Sequence, residues 1–267
     1  MGLCKKWFSV SIFFLVFSCS ALKIDRVIIS ADTHQMYVDF WPVVAQAWEE
    51  LVGVKPTLAL IAPQDFYVDE SYGDVFRFEP IEGVSTALYA QVIRLLLPIM
   101  FPDEVCIITD IDMIPLSRSF YVDSVADISD DAFVVYRSAA LPQYKQYAMC
   151  YNAAKGSTFG EIFGIQSVEE IPEFIKKFAQ EFNHAWSTDQ QALYKYLRSW
   201  KDFDTRAILL GHGVYVNRTT ISRTHWTYDV AKLKMGGYID AHMLRPYKTY
   251  KKYIDLLAKQ LGLSDYQ

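Results

Sequence analysis

The sequence predicts an α/β fold, a mostly parallel central sheet flanked by helices in a single domain. Three observations predict it. The chain opens on strand, helix, strand: a β-branched run at Arg26-Val-Ile-Ile-Ser30, a helical periodicity to Leu51, and a second apolar run over Pro56 to Ala62. Val105 to Ile108 is a further β-branched stretch, long enough for a buried strand and too short for a helix. No repeat, low-complexity tract or Pro/Gly/Ser-rich linker divides the chain, and 52% hydrophobic with 15% aromatic residues suffices for one substantial core.

Each element has its own reason. The first strand ends where polar residues take over, at Ala31-Asp32-Thr33-His34. The following helix carries Val43, Val44, Ala47, Trp48 and Leu51 at helical spacing, with Pro42 in its first turn and Gly53 as its stop. Ser85 to Leu97 is the next, burying Leu88, Val92, Leu95 and Leu96 and closed by Pro98. Gln91 and Arg94, three apart, share a face of it. Beyond Leu116 an acidic stretch (Asp123, Asp127, Asp130, Asp131) reads as a solvated loop, and Ala132 to Tyr136 as a strand. Gly156 would let the backbone approach a ligand, and Ser157 would cap a helix running through Phe163. Residues 168–182 form an amphipathic helix with Ile171, Phe174, Ile175 and Phe178 inward. Ser187 or Thr188 caps another, whose first turn holds Asp189, where the macrodipole favours an anion. Ala207 to Leu210 and Gly213 to Val216 are strand-like, and Lys248, Lys251 and Lys252 lie near the start of the last helix.

A net charge of −5 excludes a general nucleic-acid binder, because the basic footprint is missing. An anionic nucleotide would need local neutralisation. At the N-terminus, Lys5-Lys6 precedes the uncharged apolar stretch Trp7 to Ser18, followed by the small residues Ser20 and Ala21. Residues 1–21 read as a signal peptide or a short membrane leader, shorter than the ~20 apolar residues that span a bilayer. Val16-Phe17-Ser18-Cys19 also resembles a lipobox. The expected location is the secretory pathway, or a secreted or periplasmic one, with membrane tethering through the N-terminus as the alternative. The folded domain is then expected over 22–267. Without the leader only Cys106 and Cys150 remain, which makes no disulfide framework, and Cys106 packs as a small apolar residue. Asn217-Arg218-Thr219 is a glycosylation sequon inside a strand-like run, and chance explains it best.

The chemistry concentrates at Asp110-Ile111-Asp112, directly after the Val105 strand. In an open α/β sheet, ligands bind beyond the carboxyl ends of the strands. Strand alternation would put Asp110 and Asp112 on one side and turn Ile111 to the core. Two anions so close call for a cation, and oxygen ligands suit Mg²⁺ or Mn²⁺, whose remaining positions accept substrate phosphates. Asp32 and Tyr37 follow the first strand, the place for a nucleotide's base and ribose.

The block Gln91-Val-Ile-Arg94-Leu-Leu-Leu-Pro98, followed by Ile107-Ile-Thr-Asp110-Ile-Asp112-Met-Ile-Pro-Leu116, resembles the DxD region of GT-A, Rossmann-like, nucleotide-sugar-dependent glycosyltransferases. Trp186-Ser-Thr-Asp189-Gln190 is similar to a second signature of these enzymes, and Ser30 to Tyr37 to their first nucleotide-contacting loop. Met149 to Phe159 resembles the segment that packs beside donor sugar and acceptor. The resemblance implies a metal-dependent transfer of a sugar from a UDP- or GDP-type donor to a glycan, lipid or protein acceptor. It implies Asp110 and Asp112 as ligands of Mn²⁺ or Mg²⁺, with a C-terminal histidine, His225 before His242 and His212. Asp32, Tyr37, Gln91, Arg94 and Ile111 would contact the nucleotide sugar, and Arg245 or Lys248 its diphosphate. Asp189 and Gln190 would act on the sugar or the attacking hydroxyl. Two rivals remain: a secreted or tethered non-catalytic nucleotide- or sugar-binding protein, and a nucleotidyltransferase. The second would want a glycine-rich basic loop where Ala31-Asp-Thr-His34 stands.

Overall fold

The computed structural model describes residues 20–212 and 219–263. The leader with its lipobox-like cysteine, the strand-like run from Gly213 and most of the Asn217 sequon lie outside them. Among the described residues no helix is long and apolar enough to cross a membrane.

The elements run β1 (Ile24–Asp32), α1 (Trp41–Ala47), β2 (Lys55–Ile61), β3 (Asp74–Phe78), α2 (Thr86–Leu96), β4 (Val105–Ile108) and β5 (Met113–Pro115). Then follow α3 (Arg118–Tyr121), β6 (Phe133–Val135), β7 (Asn152–Lys155), α4 (Gly156–Phe163), α5 (Ile171–Glu181), α6 (Thr188–Ser199) and α7 (Phe203–Arg206). The chain closes with β8 (Ala207–Leu209), β9 (Thr220–Ile221), α8 (Val230–Lys234), β10 (Asp240–His242) and α9 (Tyr247–Leu261). The main sheet has seven strands in the order β3-β2-β1-β4-β7-β6-β8. All its pairings are parallel except those of β7, which runs against both neighbours. A small second sheet, β5-β10-β9, ties the stretch after Asp112 to the C-terminal region.

Both faces of the sheet are covered, so its strands read as continuous apolar runs. Along β1, Val27, Ile29 and Ala31 pack with Trp41 and Trp48 and with Ile254 and Leu257 of α9. Ile28 faces the other way, with Cys106 and Ile108, onto Leu88, Val92 and Leu96 of α2 and onto α4, α5 and α6. Cys106 and Cys150 are buried free thiols, and burial pushes both upward, Cys150 to about 12.

Several local expectations are corrected. The helix after Trp41 widens into a π turn over Trp48–Val52 before Gly53 stops it at φ 76°. The edge strand β3 was not expected; its residues are all half-buried, so they carry no strong apolar signal. Ser157 caps nothing: α4 begins at Gly156 behind Lys155 with no side-chain cap. Gly156 meets protein, since a Cβ there would lie 2.1 Å from the Pro98 carbonyl oxygen. Because β7 is reversed, this end of it sits at the amino ends of the parallel strands, opposite the ligand edge. Neither Ser187 nor Thr188 caps α6 with its side chain; the Thr188 hydroxyl donates backward to the Ala185 carbonyl at 2.7 Å.

Candidate active site

A cleft of about 250 Å³ opens at the carboxyl ends of β1 and β4. β1 supplies Ser30, Ala31 and Asp32, with Tyr37 just beyond, and the turn after β4 supplies Asp110, Ile111 and Asp112. Ala87, Ala90, Gln91 and Arg94 come from one face of α2, where the two alanines leave space open. Trp186, Asp189 and Gln190 come from the start of α6, and Arg223, His242 and Arg245 from the C-terminal region. Asp32, Tyr37, Gln91, Arg94, Asp110, Ile111, Asp112, Asp189 and Gln190 thus all line one cavity. His225 does not join it: this ring is exposed and touches the Thr224 hydroxyl, and the histidine of the cleft is His242. His212 packs instead against Phe120. Lys248 pairs with Asp39 at 3.5 Å outside the cleft, whereas Arg245 lines it.

Asp110 and Asp112 follow β4 in a turn, closed by Met113 N–H donating to the Asp110 carbonyl at 3.3 Å, and not along a continuing strand. Ile111 is 4% exposed and belongs both to the core and to the cleft floor. Arg94 is the central cation. Its Nη1 donates to Asp110 Oδ1 at 2.5 Å and to the Thr109 carbonyl at 2.8 Å, its Nη2 to Asp189 Oδ2 at 2.9 Å, and its Nε to the Gln91 carbonyl at 3.1 Å. The guanidinium expected to contact the nucleotide sugar is thus committed to two carboxylates, which hold it charged despite its burial. Burial raises the Asp189 carboxyl above its ordinary value, and Arg94 only partly offsets this.

The opposite wall is built around Asp112. Arg223 Nη1 donates to its Oδ2 at 3.1 Å, while Arg245 Nη1 and His242 Nε2 each stand 3.5 Å from the same oxygen. Burial would raise this carboxyl, but His242, Arg223 and Arg245 outweigh it and hold it below the usual range. Arg245 also donates to the Tyr37 hydroxyl at 2.5 Å and lies over its ring at 5.0 Å. Asp32 is tied to its own loop and to α2, accepting from His34 N–H at 2.9 Å and from the Thr86 hydroxyl at 2.8 Å. Behind the cleft, buried Arg137 pairs with Asp240 of β10, which also accepts from the Tyr151 hydroxyl at 2.8 Å, and so anchors the strand that carries His242.

Sequence reasoning missed Arg223 and the cleft role of Trp186. Arg223 has no local signature, since its partners lie 111 and 19 residues away. Trp186 opens the Trp186-Ser-Thr-Asp189-Gln190 stretch and is 67% exposed at the cleft. An exposed indole there is the kind of large apolar surface that marks a contact.

No protein-family model and no curated protein matches the sequence. Solved structures do resemble it. The galactosyltransferase LgtC in complex with donor and acceptor sugar analogs superposes with a TM-score of 0.50 at 11% identity, covering 91% of this chain and 97% of that one. An active-site mutant of LgtC gives the same values, a TM-score of 0.50 and 11% identity over 91% and 97%. The chain has the GT-A fold. The apo form of the glycosyltransferase GlyE of Streptococcus pneumoniae also aligns, at a TM-score of 0.49 and 11% identity, over 90% of this chain and 62% of that one.

Proposed function

We propose that this protein is a glycosyltransferase that moves a sugar from a UDP- or GDP-type nucleotide-diphosphate donor to an acceptor hydroxyl. One observation carries the reading: four carboxylates and three guanidiniums converge on a single cleft at the carboxyl edge of a GT-A sheet. Tyr37 and Asp32 would receive the base and ribose, and Arg245, which lines the same cavity, would meet the diphosphate.

Asp110, Asp112 and His242 line the same cavity and are oxygen and nitrogen donors of the types that Mn²⁺ or Mg²⁺ accepts. Among the described residues no three such side chains are gathered closely enough to hold an ion as they stand, because Asp110 is paired with Arg94 and Asp112 with Arg223. When bound, such an ion would neutralise charge developing on the departing nucleoside diphosphate. His242 replaces His225 in this role because only His242 reaches the cleft.

Asp189 is the group placed to orient or deprotonate the acceptor hydroxyl, and its raised carboxyl suits a proton acceptor better than an ordinary aspartate. Gln190 lines the cavity next to it, and its backbone N–H donates to Asp189 Oδ1 at 2.8 Å. Trp186 at the mouth presents an aromatic face of the size of a sugar ring, which favours a glycan among the acceptor classes. The apolar stretch at the N-terminus supports a location in the secretory pathway, or a secreted or periplasmic one, with membrane tethering as the alternative. The test is a transfer assay with a panel of nucleotide sugars, run with Mn²⁺ and with EDTA. Release of nucleoside diphosphate in step with acceptor glycosylation is expected; no turnover and no binding of any donor would overturn the assignment.

A further inference from the structure

The two walls of the cleft are unequally charged. On one, a single guanidinium, Arg94, is shared by Asp110 and Asp189, and Asp32 is tied to the same helix through Thr86, so negative charge is in excess. On the other, Arg223 and Arg245 share Asp112, so positive charge is in excess. The side chains of Arg223 and Arg245 are 24% and 27% exposed, open to the cavity they line. A cleft polarised in this way offers its positive wall to an anion.

Arg223 has a second property. One amino group donates to Asp112 Oδ2 and the other touches His242, which itself stands 3.5 Å from that oxygen, so the guanidinium bridges the two groups that would share a divalent ion. A cation bound to both must share or take that space, against the charge of a guanidinium that burial does not neutralise.

We propose that Arg223 is a diphosphate-binding residue of the donor site and competes with a divalent cation for Asp112. This rests on the nucleotide-sugar reading above. The planar fork matches phosphate oxygens in pairs, so Arg223 can exchange a carboxylate partner for a phosphate one without losing its charge-assisted hydrogen bonds. Asp112 then serves as a switchable counter-ion, held by arginine or by metal. Donor binding consequently retains a cation-independent component.

Two titrations on the whole protein test this, with Arg223→Gln and the charge-retaining Arg223→Lys, each checked for native near-UV circular dichroism. In EDTA, calorimetry with UDP and GDP should show binding to the wild type that falls by about tenfold or more in Arg223→Gln, the worth of a charge-assisted hydrogen bond. Mn²⁺ alone, followed by electron paramagnetic resonance, should bind Arg223→Gln about tenfold more tightly than wild type, because a like charge has been removed. Arg223→Lys should fall between the two in both titrations. If wild type binds UDP or GDP but Arg223→Gln matches it in either titration, the inference is overturned and the glycosyltransferase reading stands. If neither nucleotide binds wild type with or without Mn²⁺, both are overturned.

Discussion

Strand β4 carries an acid at each end, and each acid meets a buried arginine, yet the two ends do different things. At the amino end, Arg26 donates from Nε to Glu104 at 2.7 Å and from Nη1 to Asp74 and Thr57 at 2.6 Å, and its guanidinium lies 3.8 Å from the Phe101 ring centre. Its carboxylate partners are 35% and 40% exposed, so water shares in their solvation. At the carboxyl end, Arg94 holds Asp189 at only 3% exposure and Asp110 at 33%, beside a cavity with further charged groups. A buried arginine pair is therefore not in itself a sign of function. The distinguishing features are an incompletely neutralised carboxylate and open volume at the ligand edge of the sheet.

Breaking each end separately sharpens the contrast. Arg94→Ala leaves Asp110 and Asp189 unpaired in or beside the core, and should cost about 3–5 kcal/mol of unfolding free energy together with donor binding. Denaturant melts and calorimetry measure both; a change in stability with unaltered nucleotide affinity would reduce Arg94 to a structural pair. Next in size, Asp189→Asn should lower kcat by about a hundredfold, within the range for a positioned proton acceptor. The amide keeps the shape and an acceptor for Arg94, whose charge Asp110 still balances, so the melting temperature should fall less than in Arg94→Ala; a fall in rate only in proportion to lost fold would refute the assigned role. At the other end, Arg26→Ala should cost roughly 1–3 kcal/mol, less than Arg94 because its partners retain water, and leave donor affinity unchanged. Trp186→Ala should raise the acceptor KM about five- to tenfold, the worth of an aromatic contact, without altering donor KM.

The smallest effect is a titration. Burial would raise the Asp74 carboxyl, but Lys55 and Arg26 outweigh it and hold it below its ordinary 3.8. The ionised form is thus favoured in the folded state, and the stability it contributes is present above that ordinary value and lost as pH falls through the lower folded one. The melting-temperature gap between wild type and Asp74→Asn should be constant from pH 7 to 5 and close below about pH 4. A gap that widens on acidification would contradict the pairing.

Much of this was legible in the sequence because the fold places strand ends at one edge. Asp32, Asp110 and Asp112 each follow an apolar run, and the parallel order of β1 and β4 puts those ends side by side. Gln91 and Arg94 were readable from their shared helical face. What local pattern could not supply was direction and distance. Gly156 and Ser157 have a helix-start composition that looks the same at either end of a sheet, and the reversal of β7 took them to the wrong one. Arg245 reaches Tyr37 across 208 positions, and Arg223 reaches Asp112 across 111, through a small sheet whose strands are two or three residues long. Among three histidines only that sheet distinguishes His242, since β10 pairs it with Met113, next to Asp112.

The central claim is that the carboxyl-edge cleft takes a nucleoside diphosphate on its Asp112 wall. Thermal melting of wild type and Asp112→Asn with saturating UDP or GDP in the presence of Mn²⁺ tests it most directly. Ligand at about a hundred times its dissociation constant stabilises a native state by about 2.7 kcal/mol. The account predicts a clear rise in melting temperature for wild type with one of the two nucleotides and a much smaller rise for the variant. Equal shifts in both proteins, or none in wild type with either nucleotide, would contradict it.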